Sequence, residues 1–143
     1  ELDEDADFFA RLEPIRLKAG EMMGFGDVSN MVIPKPVILA APRAGGTISS
    51  RYFTPYATHA AHAVTGAVCV ACAVVTPGTV AFDIANITHS KKMPITIEHP
   101  TGALDVALTL DLAKTPPEVK SAGILRTTRL LFQGAVYVPE GTT

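Results

Sequence analysis

The sequence predicts an α+β domain in which a mostly antiparallel, curled sheet of about seven strands wraps around one central apolar helix. Three observations lead to this fold class. A helix-like amphipathic pattern opens the chain, residues 59–75 are apolar on every helical face, and short β-rich runs bounded by turns stand on both sides of them. Because a helix that is apolar all round must be buried, we expect the sheet to enclose it.

The composition is that of one globular domain. The chain has 143 residues, of which 48% are hydrophobic and 18% charged, and its formal net charge is −2. A chain of this length buries roughly 68–70% of its unfolded surface, so it needs no metal or disulfide for stability. No run of basic residues suggests a nucleic-acid partner, and no apolar stretch approaches the ~20 residues of a membrane helix. Two cysteines and the lack of a secretory segment favour the cytoplasm.

The chain begins with Glu1 and not with Met, which indicates a processed or excised piece, or part of a larger polypeptide. We predict one domain over 1–143. Within it, residues 1–26 form a leading helical segment and residues 33–139 form the sheet-wrapped central helix.

The leading helix is predicted from apolar residues that recur three and four positions apart. This face consists of Phe8, Leu12, Ile15, Ala19 and Met22. Acidic residues at 3–7 favour the helix start, and glycines at 20–26 favour its end. Pro14 lies inside the pattern, so we expect a kink or a division into two short helices.

The strands are predicted from short β-rich runs separated by Gly and Pro turns. These runs lie at 35–42, 47–53, 79–84, 95–98, 103–110, 123–131 and 134–138. We expect the first two to pair as an antiparallel hairpin across the glycine turn at 44–46. Residues 99–102 are predicted to connect two further strands, and residues 115–117 to form a loop.

Two segments could bind an anion. In the turn at 43–47, glycines let backbone N–H groups point inward around an anion, and Arg43 offers a planar fork for a carboxylate or phosphate. An ordinary hairpin turn with an exposed Arg43 explains the same residues. The second segment is the start of the apolar helix, where unpaired N–H groups lie beside His59, His62 and Thr65. Gly66 inside this helix is expected to permit close approach of a strand or ligand.

Other chemistry-bearing residues have simpler explanations. His59 and His62 are three residues apart, but no third ligand has metal-binding spacing, so capping or core roles are favoured, and His89 and His99 are expected in loops. Cys69 and Cys72 lie well inside the apolar helix, which favours two small core residues over a redox pair. The single acidic residues among the strands are expected to face solvent. These are Glu98, Asp105 and Asp111.

Several motifs, in order, resemble the C-terminal half of the 2-methylaconitate cis–trans isomerase (PrpF-like) family. They are Ile-Pro-Lys-Pro at 33–36, Ala-Pro-Arg-Ala-Gly-Gly-Thr-Ile-Ser-Ser-Arg-Tyr-Phe at 41–53, His-Ala-Ala-His-Ala-Val-Thr-Gly-Ala at 59–67, Ile-Glu-His-Pro-Thr-Gly at 97–102 and Arg-Thr-Thr-Arg-Leu-Leu-Phe-Gln-Gly at 126–134. The resemblance covers nearly the whole chain. It implies the diaminopimelate epimerase-like fold, in which two similar domains each wrap a sheet around a central helix and face one another across a cleft.

The resemblance also implies a function. Family members are cofactor-independent isomerases and tautomerases that shift a proton in unsaturated di- and tricarboxylates such as methylaconitate or oxalomesaconate. The lysine and cysteine that move the proton lie in the N-terminal domain, and neither has a counterpart here. Thr65 and Gly66 match the helix start of the epimerase relatives, but Ala63 stands where their catalytic cysteine would be. This half is therefore expected to bind substrate without performing the proton transfer.

The expected substrate-binding residues are those that offer a cation, an N–H group or a polar side chain to a polycarboxylate. They are Arg43, Gly46, Thr47, His59, His62, Thr65 and Gly66, with no metal. The expected partners are the polycarboxylate, the N-terminal domain of the same polypeptide and further copies of the chain in a homo-oligomer. The alternatives are a carboxylate-binding or dimerisation domain without catalysis, and a redox protein that uses Cys69 and Cys72.

Overall fold

One six-stranded sheet organises the fold. The computed structural model describes residues 2–87, 90–126, 128–139 and 141. In them the strands are β1 (Val37–Ala40), β2 (Ile48–Thr54), β3 (Ala57–Thr58), β4 (Lys92–His99), β5 (Gly102–Asp111) and β6 (Glu118–Ile124). The strand order is β1–β2–β4–β5–β6, and β3 pairs with β2. The fold is thus of the predicted α+β class, with six strands in the described residues and not seven.

The sheet consists of two antiparallel units joined by a short parallel contact. The predicted hairpin is confirmed, because β1 pairs antiparallel with β2. Strands β4, β5 and β6 form an antiparallel meander, as predicted for the connection at 99–102. Between the two units, β2 and β4 run parallel, with Ile48 opposite Ile97 and Ser49 opposite Glu98.

Helix α1 (Ala6–Met22) starts as predicted and runs unbroken through Pro14. Its N-cap is Asp5, whose carboxylate accepts a hydrogen bond from the Phe8 N–H at 2.8 Å. The predicted division into two short helices is therefore wrong. Two glycines with positive φ follow the helix and turn the chain, Gly24 and Gly26.

The buried face of α1 differs from the predicted face. Ile15 and Met22 are 66% and 78% exposed, whereas Arg16 and Gly20 are buried. Arg16 is buried because its guanidinium donates hydrogen bonds to backbone carbonyls of residues 28–33. Gly20 is buried because it packs against Val28, so closely that a side chain at position 20 would overlap it. A cation that is buried for its hydrogen bonds is invisible to a search for apolar periodicity.

Helix α2 (Val64–Val74) packs one side against β4, β5 and β6. Its buried residues are Ala67, Val70, Ala71 and Val74, which join a core formed by Ile48, Ile95, Ile97, Leu104, Val106, Leu108 and Leu110. The opposite side of α2 is exposed at Val64, Thr65 and Cys69. The prediction of burial on every face is thus not met in the described residues, because the sheet covers one side of the helix.

The predicted strand at 79–84 is wrong, because these residues form helix α3 (Val80–Ile84). Thr79 is the N-cap, and its hydroxyl accepts from the Phe82 N–H at 3.1 Å and donates to the Ala73 carbonyl at 2.6 Å. A capping threonine followed by apolar residues has the composition of a strand, so composition misled the prediction.

The predicted strands at 123–131 and 134–138 are also not observed. Strand β6 ends at Ile124, and the described residues between 125 and 139 form no helix or strand. Their large apolar side chains are exposed, and a β-rich pattern alone does not make a strand. The loop at 115–117 is as predicted. No helix in the described ranges is long and apolar enough to cross a membrane.

Candidate functional site

Three of the predicted residues lie around Tyr52 of β2, at or just before the start of α2. The ring centroid of Tyr52 lies 4.6 Å from that of His62 and 5.9 Å from that of His59. Gly66 packs directly against the Tyr52 ring, where a Cβ would overlap ring carbon atoms. The expected close approach at Gly66 is therefore confirmed, and the approaching element is a strand.

The N-terminus of α2 has no side-chain cap. Its N-cap is Ala63, which cannot accept hydrogen bonds from the first-turn N–H groups, and Thr65 in that turn is exposed. Such N–H groups carry partial positive charge and favour an anion. Natural helices usually place Ser, Thr, Asp or Asn at this position. The arrangement can therefore hold a carboxylate.

His62 lies beside this helix start with one ring nitrogen unused. The side chain is 4% exposed, and Nδ1 lies 3.0 Å from the Ala63 carbonyl oxygen. Since a carbonyl only accepts, Nδ1 carries the hydrogen and donates it. Burial lowers the pKa of His62, so the ring is neutral and Nε2 is an acceptor. Among the described residues, Nε2 has no hydrogen-bond partner and no access to solvent.

Two further histidines frame the same region. His59 Nδ1 accepts a hydrogen bond from the Ala61 N–H at 3.0 Å. His99 ends β4 and is not in a loop as predicted, and its Nδ1 lies 3.2 Å from Thr101 Oγ1. Thr101 also donates to the Ala60 carbonyl at 3.0 Å, which ties the β4–β5 turn to the segment before α2. His89 lies outside the described residues.

The glycine turn at 43–47 holds an anion, and that anion belongs to the chain itself. Glu98 Oε2 accepts hydrogen bonds from the Arg43 N–H at 2.7 Å and from Ser49 Oγ at 2.6 Å. Glu98 Oε1 accepts from the Ala44 N–H at 2.7 Å and the Gly46 N–H at 2.8 Å. The backbone N–H groups that the sequence assigned to a ligand are thus occupied by a glutamate from β4.

Glu98 is the residue of this candidate site that sequence reasoning missed. The prediction that it faces solvent is wrong, since it is only 9% exposed. The hydrogen bonds to its carboxylate, led by that from the Arg43 N–H, lower its pKa from the ordinary value of 4.5 to about 2. Its alternation with Ile97 is that of a residue on the solvent side of a strand, and only the pairing of β4 with β2 shows its partners.

A cleft of about 680 Å³ adjoins this turn on the sheet face opposite to α2. Its lining includes Ile38, Arg43, Ser49, Arg51, Glu98 and His99. Arg51 is engaged, because Nη2 donates to Thr58 Oγ1 at 2.7 Å and Thr58 is in turn bonded to Asp3. Within the described residues, the Arg43 guanidinium has no hydrogen bond or ion pair, and Arg43 is exposed.

The predicted binding residues therefore form two groups on opposite faces of the sheet. Side chains alternate along a strand, so Ser49 points away from the side on which Tyr52 meets α2. Arg43 and Gly46 belong to the cleft, whereas the histidines, Thr65 and Gly66 lie at the helix start. Thr47 is buried between them, and its Oγ1 accepts from the Thr96 N–H at 3.1 Å.

His99 is connected to both groups. It lines the cleft, and after burial a positive charge on His99 is a further cause of the lowered pKa of His62. The end of β4 therefore adjoins the cleft, and Thr101 in the turn that follows bonds to the segment before α2.

The cysteines and the histidines are also candidates for a redox pair and for metal ligands, respectively. Cys69 and Cys72 are both free, and Cys69 is exposed, so the prediction of two core residues is wrong for Cys69. Burial raises the pKa of the Cys72 thiol, which makes it less reactive. In the ranges that the structure covers, no group of three or more His, Cys, Asp or Glu residues is arranged to hold a metal ion.

Comparison with known proteins gives several matches. The model of the PrpF protein family matches residues 1–139. The chain is 46% identical over 140 residues to YbhH of Escherichia coli (strain K12), covering 97% of this chain and 39% of that protein. It is 42% identical over 137 residues to the (4E)-oxalomesaconate Delta-isomerase of Novosphingobium sp. (strain KA1), covering 96% of this chain and 38% of that protein.

A solved structure shares the fold. The crystal structure of methylitaconate-delta-isomerase superposes with a TM-score of 0.68 at 20% identity, covering 87% of this chain and 37% of that one. The chain thus spans about two fifths of the length of the relatives it matches. Because the family model matches residues 1–139, nearly the whole chain, the chain belongs to the PrpF family.

Proposed function

We propose that this chain is the substrate-binding part of a cofactor-independent isomerase that shifts a proton in unsaturated di- or tricarboxylates. The observation that carries the proposal is the uncapped start of α2 beside a buried neutral His62 with an unpartnered Nε2. The helix start offers N–H donors to a ligand carboxylate, whereas Nε2 of His62 is a buried acceptor and does not itself bind that carboxylate. Membership of the PrpF family and the names of the relatives support the choice of an unsaturated carboxylate.

The proposed binding mode uses both groups of residues. One carboxylate binds the first-turn N–H groups of α2 and the Thr65 hydroxyl, with His59 and His62 beside it. A second carboxylate pairs with the Arg43 guanidinium, which matches a carboxylate in a bidentate manner. Gly66 serves by admitting the Tyr52 ring, and Gly46 and Thr47 serve by shaping the loop behind Arg43.

The proposed chemistry is proton removal from a carbon made acidic by neighbouring carboxylates, followed by reprotonation. Negative charge spreads onto a carboxylate as the proton leaves, and preorganised N–H groups and a guanidinium stabilise it there. The proton-transferring lysine and cysteine are proposed to lie in an N-terminal domain, as the family resemblance implies. That domain would face this one in a diaminopimelate epimerase-like arrangement, with α2 as the central helix of its half.

A second candidate is an assembly domain of the same fold that binds a carboxylate without turning it over. The exposed apolar side chains favour it, because soluble surfaces rarely present so many together. They include Val64 in α2 and Leu130, Leu131, Phe132, Val136, Tyr137 and Val138 near the end of the chain. Sedimentation tests this candidate: a concentration-dependent dimer would favour assembly, and a monomer at every concentration would count against it.

Calorimetric titration with trans-aconitate at low salt tests the proposal. We expect binding that Thr65→Val and Arg43→Ala each weaken about tenfold, the scale of one lost charge-assisted hydrogen bond. Arg11→Ala is the matched control, because Arg11 is an exposed arginine on α1, away from the proposed site. No heat with the unmodified chain, or binding that neither substitution changes, would overturn the proposal.

A further inference from the structure

We infer that Glu98 is a positioning residue for ligand binding: its carboxylate fixes the 43–46 turn so that the Arg43 guanidinium is presented to the cleft. This inference rests on the function proposed above, because it takes Arg43 as the group that pairs with a ligand carboxylate. Glu98 was not among the predicted binding residues, and its inferred role is to position the Arg43 side chain.

The turn is shaped around the Glu98 carboxylate. Gly45 has a φ of +84°, a conformation that other residues adopt with strain. At Gly46, a Cβ would lie 2.7 Å from Glu98 Cγ and 2.9 Å from Oε1, so only glycine leaves room for the side chain. Both glycines are therefore explained by one buried carboxylate, without any bound ligand.

The carboxylate is fully used by these contacts. Two oxygens offer about four acceptor positions, and Glu98 fills four with three backbone N–H groups and Ser49 Oγ. It has no acceptor position left for the Arg43 guanidinium. Because the backbone of Arg43 is tied to Glu98 while its side chain is not, the turn is held rigidly and the cation stays available to a ligand.

The same contacts argue against a direct chemical role. A general base must be within reach of the substrate and must hold a pKa near the working pH. The depressed pKa of Glu98 makes it a poor proton acceptor near neutrality, and its oxygens face the protein's own donors. The contribution of Glu98 therefore passes through the position of Arg43.

A double-mutant cycle with trans-aconitate tests this inference. In Glu98→Gln an amide nitrogen, which only donates, replaces one carboxylate oxygen. The side chain keeps its size but can no longer accept the hydrogen bond from the Arg43 N–H. We expect Glu98→Gln to weaken binding by a factor of up to about ten, the effect of Arg43→Ala, and to cause no further loss when it is added to Arg43→Ala. Glu118→Gln is the matched control, because Glu118 is an exposed glutamate of β6.

Two further variants cover the case in which Glu98→Gln fails to fold. Ser49→Ala removes one of the four contacts and should weaken binding by a smaller factor that also vanishes beside Arg43→Ala. In Glu98→Ala the vacated N–H groups should donate to added formate, and formate should restore affinity to within about threefold of the unmodified chain.

The outcomes separate this inference from the proposed function. If Arg43→Ala weakens binding while Glu98→Gln and Ser49→Ala do not, or if their effects add in full, the positioning role is wrong and the function stands. If Thr65→Val weakens binding and Arg43→Ala does not, the ligand uses the helix start alone and the positioning role is again wrong. If the unmodified chain binds nothing, both proposals fail.

Discussion

The ring of Tyr52 lies against the backbone of Gly66, so that the first turn of α2 and β2 are separated there by this one ring. This contact determines how close the helix start comes to the sheet. It also places the Tyr52 ring beside His62 and His59, the two histidines nearest to the uncapped helix end.

Gly66→Ala should therefore destabilise the protein although alanine favours helices. The added methyl group overlaps the Tyr52 ring, and overpacking a core typically costs about 1–3 kcal/mol. Replacing glycine by alanine inside a helix gains only roughly 1 kcal/mol, so the cost is expected to prevail. Urea denaturation measures the difference. Gly123→Ala is the control, because a Cβ at Gly123 meets no atom within 4 Å and this glycine has no positive φ. An unchanged or raised midpoint for Gly66→Ala would contradict the prediction.

Arg16 holds α1 to the segment that precedes β1. Its guanidinium pairs with Glu13 at 2.6 and 2.7 Å and donates to the carbonyls of Val28, Met31 and Ile33. Arg16→Met leaves a partly buried carboxylate and these carbonyls without their donor, so we expect a loss of about 3 kcal/mol in the free energy of unfolding.

Arg16→Lys should restore little of that stability, because an ammonium group cannot reproduce the planar fork. Arg11→Met, at an exposed position of the same helix, should change the free energy of unfolding by less than about 0.5 kcal/mol. Equal midpoints in urea for the two Met variants would show that the Arg16 contacts contribute nothing.

The Glu98 carboxylate gives the fold a specific response to acid. Its pKa lies at about 2 in the folded protein against an ordinary value of 4.5, so its contribution is present above pH 4.5 and is lost as the pH falls toward 2. We expect the thermal midpoint of the unmodified chain to fall through this window more steeply than that of Glu98→Gln, and parallel curves would refute this. Other carboxylates with lowered pKa values, such as that of Glu13, act equally in both proteins.

His62 makes the stability of the fold depend on pH near neutrality. Burial lowers its pKa below the ordinary value of 6.5, so the unfolded chain takes up a proton first and stability falls as the pH drops through that value. His62→Phe should weaken this dependence, and His99, whose pKa is also lowered by burial, should account for part of what remains. Imidazole ¹⁵N NMR should show the Nδ1–H tautomer at neutral pH, and an Nε2–H signal would contradict the assignment.

Features that depend on neighbouring residues in the sequence could be predicted, whereas contacts between residues far apart in the chain could not. Strands β1, β2, β4 and β5 were predictable because β-rich composition and flanking turn residues are local properties of the sequence. The close approach at Gly66 was predictable for the same reason, since it rests on one glycine inside a helix. The partners of Glu98 lie 49 to 55 residues away in the chain, and only the pairing of β2 with β4 brings them to its carboxylate. Arg16 misled the prediction of the buried face of α1, because its burial rests on hydrogen bonds and not on hydrophobicity.

The short parallel contact between β2 and β4 makes a seam across the molecule. Only two residue pairs define its register, Ile48 with Ile97 and Ser49 with Glu98, whereas β4 and β5 match over eight. Local opening should begin along this seam, so that backbone amides there exchange with deuterium before those between β4 and β5. Since the Glu98 side chain crosses the seam with four hydrogen bonds, it acts as a clasp, and one carboxylate governs whether the two halves of the sheet open separately or together.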